Sequence, residues 1–185
     1  MITQAPTYRW TVEEWRKLGP AGIFGEDDRV ELLNGEIVLM SPIGYRHSLC
    51  LNKLARFFER RSRDRYMVGP QNPVVLDAHS EPQPDLQLID PAWETHATDN
   101  PHPHEIFLII EVADSSLPYD RNDKAQAYAR RGIAEFWIAN LQDRVMEVHR
   151  QPGSGYAIRE VFRREQSVSP LAFPDIVLPV GEVID

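Results

Sequence analysis

The sequence holds a single cysteine, Cys50. No disulfide can form within the chain, and neither a CxxC redox pair nor a cysteine-based metal cage is available. That usage fits a reducing cytoplasm. Long hydrophobic runs are missing too. The most apolar stretch, residues 106–112, has an acid inside it and is far too short to cross a bilayer. The opening MITQAPTYRW has no basic segment followed by an apolar core, so a secretory leader is not expected. Histidines with HxxxH spacing are absent. His79, His96, His102 and His104 fall in loop-like segments and are expected in solvent rather than on zinc. There is no Walker sequence, no GxGxxG turn and no serine elbow, which sets aside nucleotide-driven and serine-hydrolase chemistry. Positive charge is in short supply, with 20 basic residues against 28 acidic ones and a formal net charge of −8. A polyanionic partner would therefore need a local basic patch.

What is present reads as one globular domain over residues 1–185. Hydrophobic content of 42% and charged content of 26% are enough for a core and too balanced for disorder. Thr11 followed by Glu14 forms a capping-box pattern and opens a short helix to about Leu18. Asn34-Gly35 between two apolar-rich runs signals a tight hairpin. Residues 47–63 carry Cys50, Leu51, Leu54, Phe57 and Phe58 at helical spacing, with a basic edge of Lys53, Arg56, Arg60 and Arg63. Pro70 and Pro73 break the next stretch, and residues 74–76 suggest a short strand. Further strands are expected at 85–89, 106–113, 135–139, 144–150 and 156–162, with an exposed loop at 91–104. A second helix is expected at 122–131, capped by Asp120 or Asn122 and ended by Gly132. The tail, 171–185, reads as extended edge structure. Together these give a mixed α/β fold, a central sheet flanked by helices with an N-terminal hairpin.

Three residues stand out chemically. Glu111 lies in FLIIEVA, where nearly every neighbour is apolar. An unpaired buried carboxylate costs several kcal/mol or becomes neutral, unless a divalent cation compensates it. A strand-end position facing solvent or an arginine explains it equally well. Asp85 opens another strand directly after Pro84, which is also ordinary turn chemistry. Lys124 shares a helix face with Asp120 and Tyr128, either as a surface partner of Asp120 or as a cation returned toward the end of the Glu111 strand.

The ordered set ELLNGEI, a histidine-led helix, PQPDLQLI, FLIIEVADSS and DRNDKAQAYARRGIAEFWIAN resembles the Uma-two-type restriction endonucleases, a branch of the PD-(D/E)XK nuclease superfamily. The likeness covers about residues 29–150. It implies a restriction-endonuclease-like fold and Mg²⁺-dependent hydrolysis of DNA, with Mn²⁺ able to substitute. It also implies Asp85 and Glu111 as metal ligands, the carbonyl of Val112 as a further ligand, and Lys124 as the motif lysine. Lys124 takes that role because Ala113 stands where the superfamily's plain spacing puts lysine. Glu31 and His47 match recurrent family positions, and Tyr119, Gln126 and Tyr128 are candidates to line the site. Lys53, Arg56, Arg60 and Arg63 are candidates for phosphate contact, against a plain solvated helix face. A homodimer is implied only by analogy. Two rivals stand beside this reading: a non-catalytic interaction module on the same fold, and a metal-dependent hydrolase with another substrate.

Overall fold

The computed structural model describes residues 7–25 and 27–184. Most of the segment behind the leader reading, residues 1–6, and the last residue of the tail, Asp185, lie outside the described residues.

A six-stranded sheet organises the molecule. Its strands are β3 (Met67–Pro70), β4 (Leu86–Ile89), β5 (Ile106–Ala113), β6 (Glu135–Asn140), β7 (Val145–Arg150) and β8 (Ile158–Arg163), adjacent in that order. All neighbours run antiparallel except β5 and β6, which are parallel. A parallel pair needs a crossover, because the chain must return to the end from which it started. Residues 114–134 supply it. They form α4 (Leu117–Tyr119), a π-helical turn (Asp120–Lys124) and α5 (Ala125–Arg130) in one run. Gly132 ends that run at φ 79°, as expected of a helix-terminating glycine. The helical run starts earlier than its sequence suggests. Pro118 reads as a loop residue, yet in the first helical turn its missing N–H costs nothing. Asp120 is thus inside the helix, not its cap.

The sheet buries both faces. Ile110 and Val112 of β5, with Trp137, Ala139, Met146 and Val148, face a core built on α2 (Tyr45–Glu59), which contributes Cys50, Leu51, Leu54, Phe57 and Phe58. Ile109 and Ala113, with Phe136 and Ile138, face the crossover helices and the hairpin. Because successive strand residues alternate faces, Glu111 points to the second side. The hairpin is β1 (Val30–Leu33) with β2 (Glu36–Leu39), turned by Asn34 at φ 52° and Gly35 at φ 78°. The capping box opens α1 (Val12–Leu18) as the sequence implies, with Thr11 Oγ1 accepting from the Glu14 amide at 3.2 Å.

Several expectations shift. Helix α2 starts two residues earlier than expected and stops at Glu59, so Arg63 lies beyond it with φ 47°. Residues 74–76 are buried but form no ladder strand; their amides bond to Pro82, Pro101 and Ser80 carbonyls. Strand β3 instead lies in the proline-broken stretch. Pro70 is tolerated at its end, on an edge strand. The 91–104 loop holds a short helix, α3 (Ala92–His96), and a 3-10 turn begins at Pro103. The tail does not extend the main sheet. A two-residue ladder pairs β9 (Ser167–Val168) with β10 (Leu178–Pro179), and α6 (Val180–Val183) packs its valines into the first core. No helix among the described residues is long and apolar enough to cross a membrane.

Candidate active site

Where β4 begins and β5 ends, a cavity of about 680 Å³ opens, and Glu31, Asp85, Glu111, Asp120 and Lys124 all line it. Five separate stretches of chain meet there. Strand β1 brings Glu31, the Pro84 loop brings Asp85, and the C-terminal end of β5 brings Glu111. The π-helical turn brings Asp120 and Lys124, and the first turn of α2 brings His47.

Asp85 is fixed by two donors on one oxygen. Its Oδ2 accepts from the Val112 amide at 2.8 Å and faces His47 Nε2 at 3.0 Å. A carboxylate oxygen that already accepts an N–H requires the imidazole to donate, which assigns the proton to Nε2. Nδ1 of His47 is buried with no hydrogen-bond partner among the described residues. Oδ1 of Asp85 makes no hydrogen bond among the described residues and stays available. Glu111 is almost fully buried. Its Oε1 accepts from Lys124 Nζ at 3.0 Å and from the Tyr128 hydroxyl at 2.8 Å, while Oε2 faces the Asp85 amide at 3.3 Å. Lys124 also reaches Glu31 Oε2 at 3.3 Å. Glu31 is held by the Gln83 amide at 3.0 Å and by the Tyr119 hydroxyl at 3.1 Å.

The electrostatics follow from this crowding. Burial pushes the Glu111 carboxyl well above its ordinary range; Lys124 opposes that rise, and Asp85, Asp120 and Glu31 add to it. Burial alone would pull the Lys124 ammonium down, but Glu111, Glu31, Asp120 and Asp85 more than reverse this and keep it charged. Burial lifts Asp120 to about 6, against Lys124 and a 2.6 Å hydrogen bond from Ser116 Oγ. Four carboxyls around one ammonium leave an excess of negative potential, and their oxygens are the hard donors that Mg²⁺, Mn²⁺ and Ca²⁺ take. The open Oδ1 of Asp85 and the burial of four carboxyls against a single ammonium fit a divalent cation. Among the described residues, however, no group of three or more His, Cys, Asp or Glu side chains is spaced as a ready-made metal cage.

Of the residues singled out in the sequence, Asp85, Glu111, Lys124, Glu31, His47, Tyr119 and Tyr128 come together. Gln126 does not; it is exposed and lines a separate hollow with Arg121, His149 and Tyr156. The basic edge is also elsewhere. Lys53, Arg56 and Arg60 border a shallow hollow on α2, which packs on the sheet face opposite Glu111. Arg60 lies thirteen residues past His47 along the helix direction, about 20 Å. His79, His96 and His104 are exposed as expected, whereas His102 is half-buried, its ring stacked on His104 at 6.2 Å. Asp120 is the residue that sequence reasoning misses as a site group. Its spacing of four from Lys124 is the available signal, and reading it as a helix cap conceals its burial.

A mixed sheet with a parallel central pair, acids at its open end and a lysine delivered by the crossover helix define a restriction-endonuclease-like protein. The chain belongs to the Uma2 family, described as "Putative restriction endonuclease", whose model matches residues 12–181. It is similar in fold to the crystal structure of "a putative nuclease belonging to DUF820" from Anabaena variabilis ATCC 29413. That match has a TM-score of 0.73 and 15% identity, covering 94% of this chain and 97% of that one. The type IIG restriction endonuclease BpuSI matches at a TM-score of 0.38 and 14% identity, over 62% of this chain and 13% of that one. No curated protein matches the chain. Family and fold together support a nuclease.

Proposed function

We propose that this chain is a divalent-metal-dependent endonuclease that hydrolyses DNA phosphodiester bonds, with residues 1–185 acting as one nuclease-like domain. The observation that carries the reading is the approach of Lys124 to Glu111, 3.0 Å apart beside Asp85, from three separate stretches of chain. In this reading Asp85 and Glu111 hold Mg²⁺, or Mn²⁺ in its place, with the Val112 carbonyl as a further ligand. When bound, the metal supplies Lewis-acid charge at the phosphate and a more acidic water.

The chain's own residues do the rest. His47 and the Val112 amide fix the Asp85 carboxylate, so that Oδ1 is presented to the cavity. Tyr128 and Lys124 fix Glu111 through one oxygen. Lys124 has a second carboxylate partner in Glu31. It can therefore turn toward a phosphate oxygen or an attacking water without Glu111 losing its remaining donors. A preorganised cation at that position stabilises charge that develops only in the transition state. Glu31 sets the position of Lys124 and is in turn set by Tyr119.

The net charge of −8 works against holding a polyanion for cleavage and favours a second reading, a non-catalytic nucleic-acid or protein interaction module on the same fold. In either case the setting proposed is the cytoplasm; for the nuclease the assembly proposed is a homodimer, which could address both strands. Incubation of purified protein with supercoiled plasmid and single-stranded DNA, in Mg²⁺, Mn²⁺ or EDTA, separates the two. Cleavage that requires metal and disappears in Glu111→Ala supports the nuclease; cleavage retained in Glu111→Ala removes the assigned site.

A further inference from the structure

The sheet face that carries Glu111 continues past the catalytic cavity into a second hollow. Register lines up Glu111 with Ile138, Ile138 with Glu147 and Glu147 with Val161. Those are three strand intervals, about 14 Å. At the far end lies a hollow of about 580 Å³ lined by Arg121, Arg144, Arg159, Arg163 and Arg164, with Asp143, Glu147 and Glu165 as its acids. Five arginines against three carboxylates stand out on a chain of net charge −8.

The acids do not cancel this excess. Glu147 is fully buried and is shared by Arg121 and Arg159, the latter at 2.7 Å. Asp143 also pairs with Arg121, at 3.5 Å. Arg144, Arg163 and Arg164 are exposed, and their side chains have no ion pair among the described residues. Arg159 and Arg163 alternate with Glu160 and Phe162 along the edge strand β8, so both present to this face. The π-helical turn joins the two sites directly. Its Asp120 and Lys124 line the cavity, while its Arg121 lines the hollow. The basic edge of α2 has no such connection, being on the other side of the sheet.

We propose that the arginine hollow beside β7 and β8 cradles the phosphate backbone of the DNA strand whose scissile bond enters the catalytic cavity. The proposal rests on the nuclease reading and adds to it the path of the substrate. Its span equals about four nucleotide rises of a B-form strand. Planar guanidinium groups suit bidentate contact with phosphate oxygens.

The test measures binding of short fluorescein-labelled single- and double-stranded DNA in EDTA by anisotropy, across a salt series. The wild type is compared with Arg144→Gln/Arg163→Gln/Arg164→Gln and with Arg56→Gln/Arg60→Gln. All five residues are exposed, so folding should survive, and circular dichroism checks it. The expected result is a loss of about tenfold or more in affinity for the triple variant. Its log–log salt slope should also be shallower by about two to three. The α2 variant should bind as wild type does. Equal binding by the triple variant, or a loss confined to the α2 variant, overturns the proposal. Wild-type cleavage that the triple variant retains in full overturns the hollow alone. A wild type that neither binds DNA nor cuts it with metal removes the nuclease reading as well.

Discussion

Lys124 lies against Glu111, Glu31, Asp120 and Asp85, and its charge is the internal compensation that lets them share a cavity. Removing one partner of a buried charge set leaves the others uncompensated, at a cost of about 3–5 kcal/mol. Lys124→Met is therefore expected to lose cleavage and to unfold at distinctly lower urea. Added Mn²⁺ should restore part of the loss, because a cation again offsets the carboxyls. An unfolding midpoint equal to wild type would mean that Lys124 carries no such burden. Asp120 gives a prediction with a pH signature. Its folded pKa is raised from 3.8 to about 6, chiefly by burial. Between those values the folded protein keeps a proton that the unfolded chain has released, so stability falls as pH rises through the window and levels off above it. Asp120→Asn keeps the acceptor for Ser116 and removes the titration. The variant should be more stable than wild type above pH 6, by up to about 3 kcal/mol, and should lose that advantage below about pH 4. Urea denaturation at the two pH values checks it; an equal difference at both contradicts it.

At the scale of elements, the hairpin and the crossover helix decide whether the site exists. Gly35 sits at φ 78° in the hairpin turn, and a Cβ there would meet Arg9 Cβ at 2.7 Å. Gly35→Ala combines a left-handed backbone with that clash and is expected to cost about 1–2 kcal/mol. A lowered melting temperature should come with weakened cleavage, because β1 carries Glu31 to Lys124. An unchanged melting curve would contradict the geometry of the turn. These elements also mark what the sequence discloses. Asn34-Gly35, the Thr11–Glu14 box and Gly132 are local devices whose conformations depend on one or two residues, and each is found where its residues imply. Strand β3 is hidden because Gly69 and Pro70 argue against a strand, and only pairing with β4 makes one. The early start of the crossover helix is hidden by Pro118, whose effect depends on whether it falls in a first turn or later. The tail is obscured for the same kind of reason. Phe173, Ile176, Leu178, Val180, Val183 and Ile184 pack against the first core as short pieces, which no local periodicity records.

Over the whole molecule, the order of motifs reveals the class of fold and singles out Glu31, Asp85 and Glu111, which the structure brings to one cavity, whereas Asp120 goes unread. That order does not reveal the layout of charge. The α2 stripe is regular in sequence yet lies behind the sheet, whereas Arg121, Arg144, Arg159, Arg163 and Arg164 are scattered over the chain and gather on the face that carries Glu111. Topology alone produces that gathering. The same topology leaves Asp85, Glu111 and their neighbours with more carboxyls than Lys124 alone can offset, and the proposal of a metal rests on that. Titrating Mn²⁺ into the wild type and into Glu111→Ala by calorimetry addresses this directly. A saturable binding isotherm is expected for the wild type and is lost in the variant. No binding by the wild type, or the same isotherm in Glu111→Ala, would contradict it.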